Sequence, residues 1–99
     1  MIEDWPFCEE RNVVVLTTKD VVFGANDILY VYHDLDDGMW QFHSHLYPTK
    51  DEASVVALEV VYSIDKSIGE LSDLPLGYFA HRKTKNDSWI IERDDEEFE

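Results

Sequence analysis

Ile28-Leu29-Tyr30-Val31-Tyr32-His33 runs into Asp34-Leu35-Asp36-Asp37-Gly38 and then into Met39-Trp40-Gln41-Phe42-His43-Ser44. Two runs rich in aromatic and β-branched residues flank a short acidic stretch that ends in glycine. Asp and Gly accommodate the positive-φ positions of tight turns, so the stretch predicts a β-hairpin. Side chains alternate along a strand, which sets Leu29, Val31 and His33 against Tyr30 and Tyr32. A two-residue loop at Asp37-Gly38 pairs Leu35 with Trp40. A four-residue loop from Leu35 to Gly38 pairs His33 with Trp40 and Val31 with Phe42. Both registers leave Trp40 and Phe42 beside Val31, because an even change of loop length cannot turn a strand over. That face is the expected core. The other carries Tyr30, Tyr32, Met39, Gln41 and His43, and is either a second packed layer or a surface offered to a partner.

Outside the hairpin, Asn12-Val13-Val14-Val15-Leu16-Thr17-Thr18 is a continuous apolar run, which predicts a strand buried on both faces. Lys19-Asp20 is read as a turn and Val21-Val22-Phe23 as a short strand. Thr49 with Glu52 three residues on predicts a capped helical turn after Pro48. A strand is expected over 54–57 and a helix from Leu58 to Ile64, where Leu58, Val61 and Tyr62 recur at helical spacing. Ser67 and Glu70 suggest the cap of a second short helix. Tyr78-Phe79-Ala80-His81-Arg82 and Ser88-Trp89-Ile90-Ile91-Glu92-Arg93 predict a closing hairpin that turns at Lys83-Thr84-Lys85-Asn86-Asp87. Residues 1–11 read as an irregular arm with Trp5 and Phe7 packed on the domain. Residues 94–99 hold five acids in six positions and read as a frayed, solvated tail. The expectation is one α+β domain over 1–99: an antiparallel sheet of five to seven strands, with one or two short helices before the last hairpin.

Composition narrows function. Twenty-two acidic residues face eight basic ones, for a net charge of −14. Phosphate neutralisation needs Lys and Arg, so nucleic acid is excluded as an expected partner, and an anionic membrane surface likewise. A basic protein partner is electrostatically favoured. The single cysteine, Cys8, excludes an internal disulfide framework. Met1-Ile2-Glu3-Asp4 has no basic or apolar signal-peptide region, which makes the cytoplasm the default expectation.

Chemistry-bearing motifs are few. His43-Ser44-His45 supplies two imidazoles with metal-ligand potential, so a metal-dependent enzyme using His43 and His45 is one alternative function. Asp34, Asp36 and Asp37 fail the calcium-loop pattern, since its sixth position falls on Met39 and its twelfth on His45. No nucleophile elbow, phosphate loop or dinucleotide fingerprint is present. The expectation is therefore no enzyme and no cofactor. Tyr combines large rigid area with a polar tip. Tyr30 and Tyr32, rimmed by Asp34, Asp36 and Asp37, are the expected binding residues. Self-association through the tyrosine face is a further alternative.

Asp36-Asp37-Gly38-x-Trp40-Gln41-Phe42 and Asp73-Leu74-Pro75-x-Gly77-Tyr78-x-Ala80-x-Arg82 carry a resemblance. With Ile64-Asp65-x-Ser67-Ile68-x-Glu70-Leu71 before the second block and Trp89 after it, residues 28–89 resemble a group of small acidic bacterial proteins of unknown function. That group is similar to a domain-of-unknown-function class placed among the immunity proteins of polymorphic toxin systems. The resemblance implies a non-enzymatic α+β domain that blocks a basic protein such as a toxin. It carries no catalytic residues over to this chain.

Overall fold

A computed structural model describes residues 5–46 and 48–94. The acidic tail beyond Asp94 and the first four residues of the arm, both read above, lie outside the described residues. In chain order the elements are β1 (Val14–Thr18), α1 (Lys19–Val22), β2 (Tyr30–His33), β3 (Trp40–His43), β4 (Ala53–Ala57), α2 (Leu58–Ile64), β5 (Tyr78–His81) and β6 (Ile90–Arg93). Two 3-10 segments, Lys50–Glu52 and Lys66–Leu71, precede β4 and follow α2. The six strands form one sheet in the order β4-β1-β3-β2-β5-β6. The fold is α+β.

The hairpin takes the four-residue-loop register: His33 faces Trp40 and Val31 faces Phe42. Gly38, at φ +73, closes it with its N–H on Asp34 O at 3.0 Å. A positive φ is cheap for glycine alone, which is why the acidic stretch ends there. On the next strand Val31 faces Ala80, so Val31, Phe42 and Ala80 stand side by side on one face. They join Val15, Trp40, Val21, Leu58, Val61, Ile68 and Leu71 in a single buried cluster. The helical segments thus supply the second layer over that face. Phe7 of the arm is buried in the same cluster, edge-on to Trp40 at 5.5 Å.

Four expectations need correction. The sheet is mixed, because β1 runs parallel to β3. The chain leaves β1, passes through α1, enters β2 one place further out, and the hairpin returns β3 into the gap. Val21-Val22 is helical, not a strand. Asp20 accepts from the Val21 N–H at 2.9 Å, and Phe23 N–H reaches Lys19 O at 2.9 Å, so local bonds override the β propensity of valine. β1 is not buried along all of both faces: Val15 and Thr17 are buried on the core side, while on the other side Val14 is exposed, Leu16 half-buried and Thr18 buried. The cap of the second short helix is Asp65, whose carboxylate accepts from Ser67 N–H at 2.9 Å, and Ser67 Oγ serves Arg82 instead. The pairing of Glu52 with the Thr49 N–H is present, at 2.7 Å.

Arg82 is the polar anchor of the fold. Its guanidinium is buried, pairs with Asp65, donates to Ile28 O at 2.9 Å and to Lys85 O at 3.2 Å, and lies 4.0 Å from the Trp89 ring centre. Trp89 itself precedes β6, and is only partly buried. Among the described residues no helix is long and apolar enough to cross a membrane.

Candidate functional site

Alternation in β2, β3 and β5 places Tyr30, Tyr32, Gln41, His43, Phe79 and His81 on the face turned away from the core cluster. α1, α2 and the 3-10 segment Lys66–Leu71 supply the buried cluster on the other side. Four of these rings form a row. Tyr32 stacks on Phe79 at 5.3 Å and 13°, Phe79 on His81 at 5.4 Å, and Tyr30 on His81 at 6.5 Å. All four residues are half-buried. Cross-strand aromatic pairs of this kind stabilise a sheet, and they also leave a flat, rigid, partly wet surface.

Beside the row the face sinks into a cleft of about 670 Å³. Tyr32 and Leu16 line it from the strands, and Leu46, Pro48 and Lys50 from the loop between β3 and β4. Asp34 and Asp36 enter from the hairpin loop, and Asp94 from the end of β6. Asp94 is brought there because its N–H bonds Gly77 O at 2.8 Å, while Gly77 N–H bonds His33 O at 2.7 Å. Gly77 adopts φ +82 at that junction, a left-handed conformation that glycine takes at little cost and other residues rarely adopt.

The floor of the cleft is a polar chain. Asp34 Oδ2 accepts from Gln41 Nε2 at 2.5 Å. That fixes the amide, so Gln41 Oε1 faces His43 Nε2 at 2.8 Å and can only accept. His43 therefore carries its proton on Nε2. Burial holds its pKa well down, at about 4, with the neighbouring His45 adding to the effect and Asp20 opposing it. His43 is a neutral imidazole at physiological pH. Burial pushes the Asp34 carboxyl up, the Gln41 bond opposes this, and the negative Asp37 and Asp94 push it further up.

The structure divides the five expected binding residues. Tyr32, Asp34 and Asp36 come together in the cleft. Asp34 is a half-buried wall and not a rim. Tyr30 sits on the same face but one pair away, against His81. Asp37 turns back on its own loop, where it accepts from Met39 N–H at 2.9 Å. The two histidines of His43-Ser44-His45 go to different partners: His43 to Gln41, and His45 to Glu52 at 3.2 Å. β3 ends at His43, so the strand alternation that would align both rings stops between them. Among the described residues no group of three or more His, Cys, Asp or Glu side chains is placed to hold a metal ion.

Sequence reasoning placed Gln41 and His43 on this face, giving Gln41 no role and His43 only that of a metal ligand in the alternative function. It missed Lys50, Pro48 and Asp94, whose arrival depends on how distant loops fold back. No local signal marks them. Comparisons with known proteins add no assignment. No family model, curated protein or solved structure matches this chain.

Proposed function

We propose that this protein is a non-enzymatic binding module of the toxin-immunity type, which docks a basic protein on the sheet face opposite its helices. The observation that supports the reading is the stacked row of Tyr32, Phe79, His81 and Tyr30 next to a cleft entered by Asp34, Asp36 and Asp94. Aromatic centres with a charged border are the usual anatomy of a protein-docking surface. A net charge of −14 selects against acidic partners and accelerates encounter with basic ones.

The test is a binding measurement with whatever partner the immobilised protein retains. Its dissociation should quicken in Tyr32→Ala and Phe79→Ala. Its association should slow in the variant carrying Asn at 34, 36 and 37. Phe23→Ala is the control, since Phe23 is 80 % exposed beyond α1 and off this face. An acidic partner, or one that is lost on changing Phe23 and unaffected by Tyr32 and Phe79, rules the reading out.

A further inference from the structure

On one side the sheet ends at β4, which pairs with β1 alone. Leu58 N–H bonds Val13 O at 2.7 Å, one step beyond the pair of Val14 with Ala57. In an antiparallel ladder that makes Val14 and Ala57 a non-hydrogen-bonded pair, and the two kinds of pair alternate along a strand. Val56 and Ser54 therefore exchange bonds with β1, while Ala53, Val55 and Ala57 turn their backbone groups outward. Two of these groups are already used. Ala53 N–H goes to Lys50 O, and the Ala57 carbonyl opens the bonding of α2, as an N-cap does. Ala53 C=O, Val55 N–H, Val55 C=O and Ala57 N–H are left with no partner among the described residues. Charge, proline or a bulge normally blunts such an edge. β4 has no charged residue and no proline among its five, and its register with β1 runs unbroken over all five pairs. The opposite edge, β6, carries Glu92 and Arg93. Val55 is 61 % exposed on the open side of the sheet, and Val14, diagonal to it on β1, is 54 % exposed.

We infer that β4 takes an extended segment of the docked basic protein as a seventh strand. This rests on the basic partner proposed above and names how a second part of it is held. Run antiparallel, one residue of that segment exchanges both bonds with Val55, and the residues two places to either side meet Ala53 O and Ala57 N–H. Four backbone bonds within five residues supply affinity and set the register. Opposite Val55 the segment needs a β-branched or aromatic side chain, which packs on an aliphatic neighbour across a strand pair. Beyond its ends it needs Lys or Arg, because the exposed Asp51 and Glu59 stand four residues to either side of Val55, with Lys50 offsetting part of that charge at the first end. The net charge of −14 disfavours a second copy of this chain in the same place. Leu16 and Ala53, from β1 and β4, also line the cleft, so the edge adjoins the docking face. Three strand spacings, roughly 14 Å, separate β2 from β4, a distance that one docked domain covers.

The probe is a blocked peptide of five alternating Val and Thr residues between pairs of lysines, titrated into the isotope-labelled full chain and followed by backbone NMR shifts and amide exchange. The Val55 and Ala57 amides should shift along one saturable curve. At saturation they should exchange more slowly by roughly tenfold, the scale of one backbone hydrogen bond, while Val56, already bonded to β1, changes less. The same peptide N-methylated at its five central amides should lose binding, and one flanked by glutamate in place of lysine should bind more weakly. Val55→Pro removes one outward donor at an edge position that tolerates proline, and should weaken the lysine peptide by a similar factor. Should that variant unfold, amide exchange in the parent protein decides. Unchanged Val55 and Ala57 amides, undiminished binding of the N-methylated peptide, or equal binding of the glutamate peptide overturns the inference. So does protection of those two amides that grows with protein concentration in the absence of peptide, which gives the edge to a second copy. If the two amides stay unprotected while a basic protein still docks through Tyr32 and Phe79, the edge assignment fails and the docking surface stands. If the peptide binds at β4 and no basic protein docks on the tyrosine face, the docking surface fails and the edge stands as a strand-accepting site.

Discussion

Two side chains near the open face lose stability on acidification in separate pH windows. Asp20 is drawn upward by burial but held down at about 2 by bonds from Ser44, Asn26 and the Val21 N–H. A carboxylate with a depressed folded pKa contributes stability that is present above its usual value and lost as pH falls through the folded one. Asp20→Ala should therefore lower the thermal midpoint at neutral pH, with the deficit closing as pH falls from about 3.8 toward about 2. His43 acts in the same direction in a higher pH window. Its folded pKa of about 4 lies below the usual 6.5, so between those values the unfolded chain holds a proton that the folded one does not. Stability is intact above 6.5 and falls as the solution is acidified toward 4, by up to roughly 3 kcal/mol from this group. Urea titrations between pH 7 and pH 5, where few carboxylates change state, should show the loss in the parent protein and a flatter profile in His43→Gln. A profile equally steep in both would place the titration on another group.

Among the elements, Arg82 decides how the last third of the chain attaches. It follows β5, and its bonds to Ile28 O, Ser67 and Asp65 tie that strand to the entry of β2 and to the 3-10 segment at once. Removing a buried partner leaves the rest of the network uncompensated, at a typical cost of about 3–5 kcal/mol. Arg82→Ala should lose that much by chemical denaturation, and Arg82→Lys should recover little, because one ammonium cannot satisfy a forked set of acceptors over the Trp89 ring. Near-parent stability of Arg82→Lys would count against the network. The elements also show where the sequence was readable. The inward face of the hairpin and α2 followed from alternation at Val31, Trp40 and Phe42 and from the helical spacing of Leu58, Val61 and Tyr62, whereas alternation left two even-loop registers open. The helical turn at Val21-Val22 did not, because its cause is one carboxylate at Asp20. The parallel pairing of β1 with β3 did not either, since parallel neighbours share no turn and leave no local mark. In the site, Tyr32, Asp34 and Asp36 were legible because they belong to the hairpin. Lys50 and Asp94 were not, because separate loops deliver them.

For the molecule as a whole, charge and shape act together at the sheet edges. β6 is exposed along its length, and Ile90 and Ile91 are both about half exposed. An uncovered apolar edge invites pairing with another chain. The net charge of −14 opposes that pairing between copies. Light scattering should give a monomer at low salt and growing association near about 1 M salt, where the screening length falls to about 3 Å. A stable dimer at low salt would point to self-association as the use of the exposed surface. The central claim is a division of labour: the face with Trp40 holds the fold, and the face with Tyr32 is free to bind. Trp40 is 1 % exposed and its indole N–H donates to Glu9 at 2.9 Å, whereas Tyr32 is half-buried on the open side. Truncating a fully buried aromatic typically costs about 3–5 kcal/mol, a large part of the stability of a domain this size. A half-buried tyrosine costs about 1–2 kcal/mol. Urea denaturation of Trp40→Ala and Tyr32→Ala compares the two directly. The account predicts that Trp40→Ala is unfolded or nearly so at room temperature while Tyr32→Ala keeps a cooperative transition; a Tyr32→Ala variant more damaged than Trp40→Ala would contradict it.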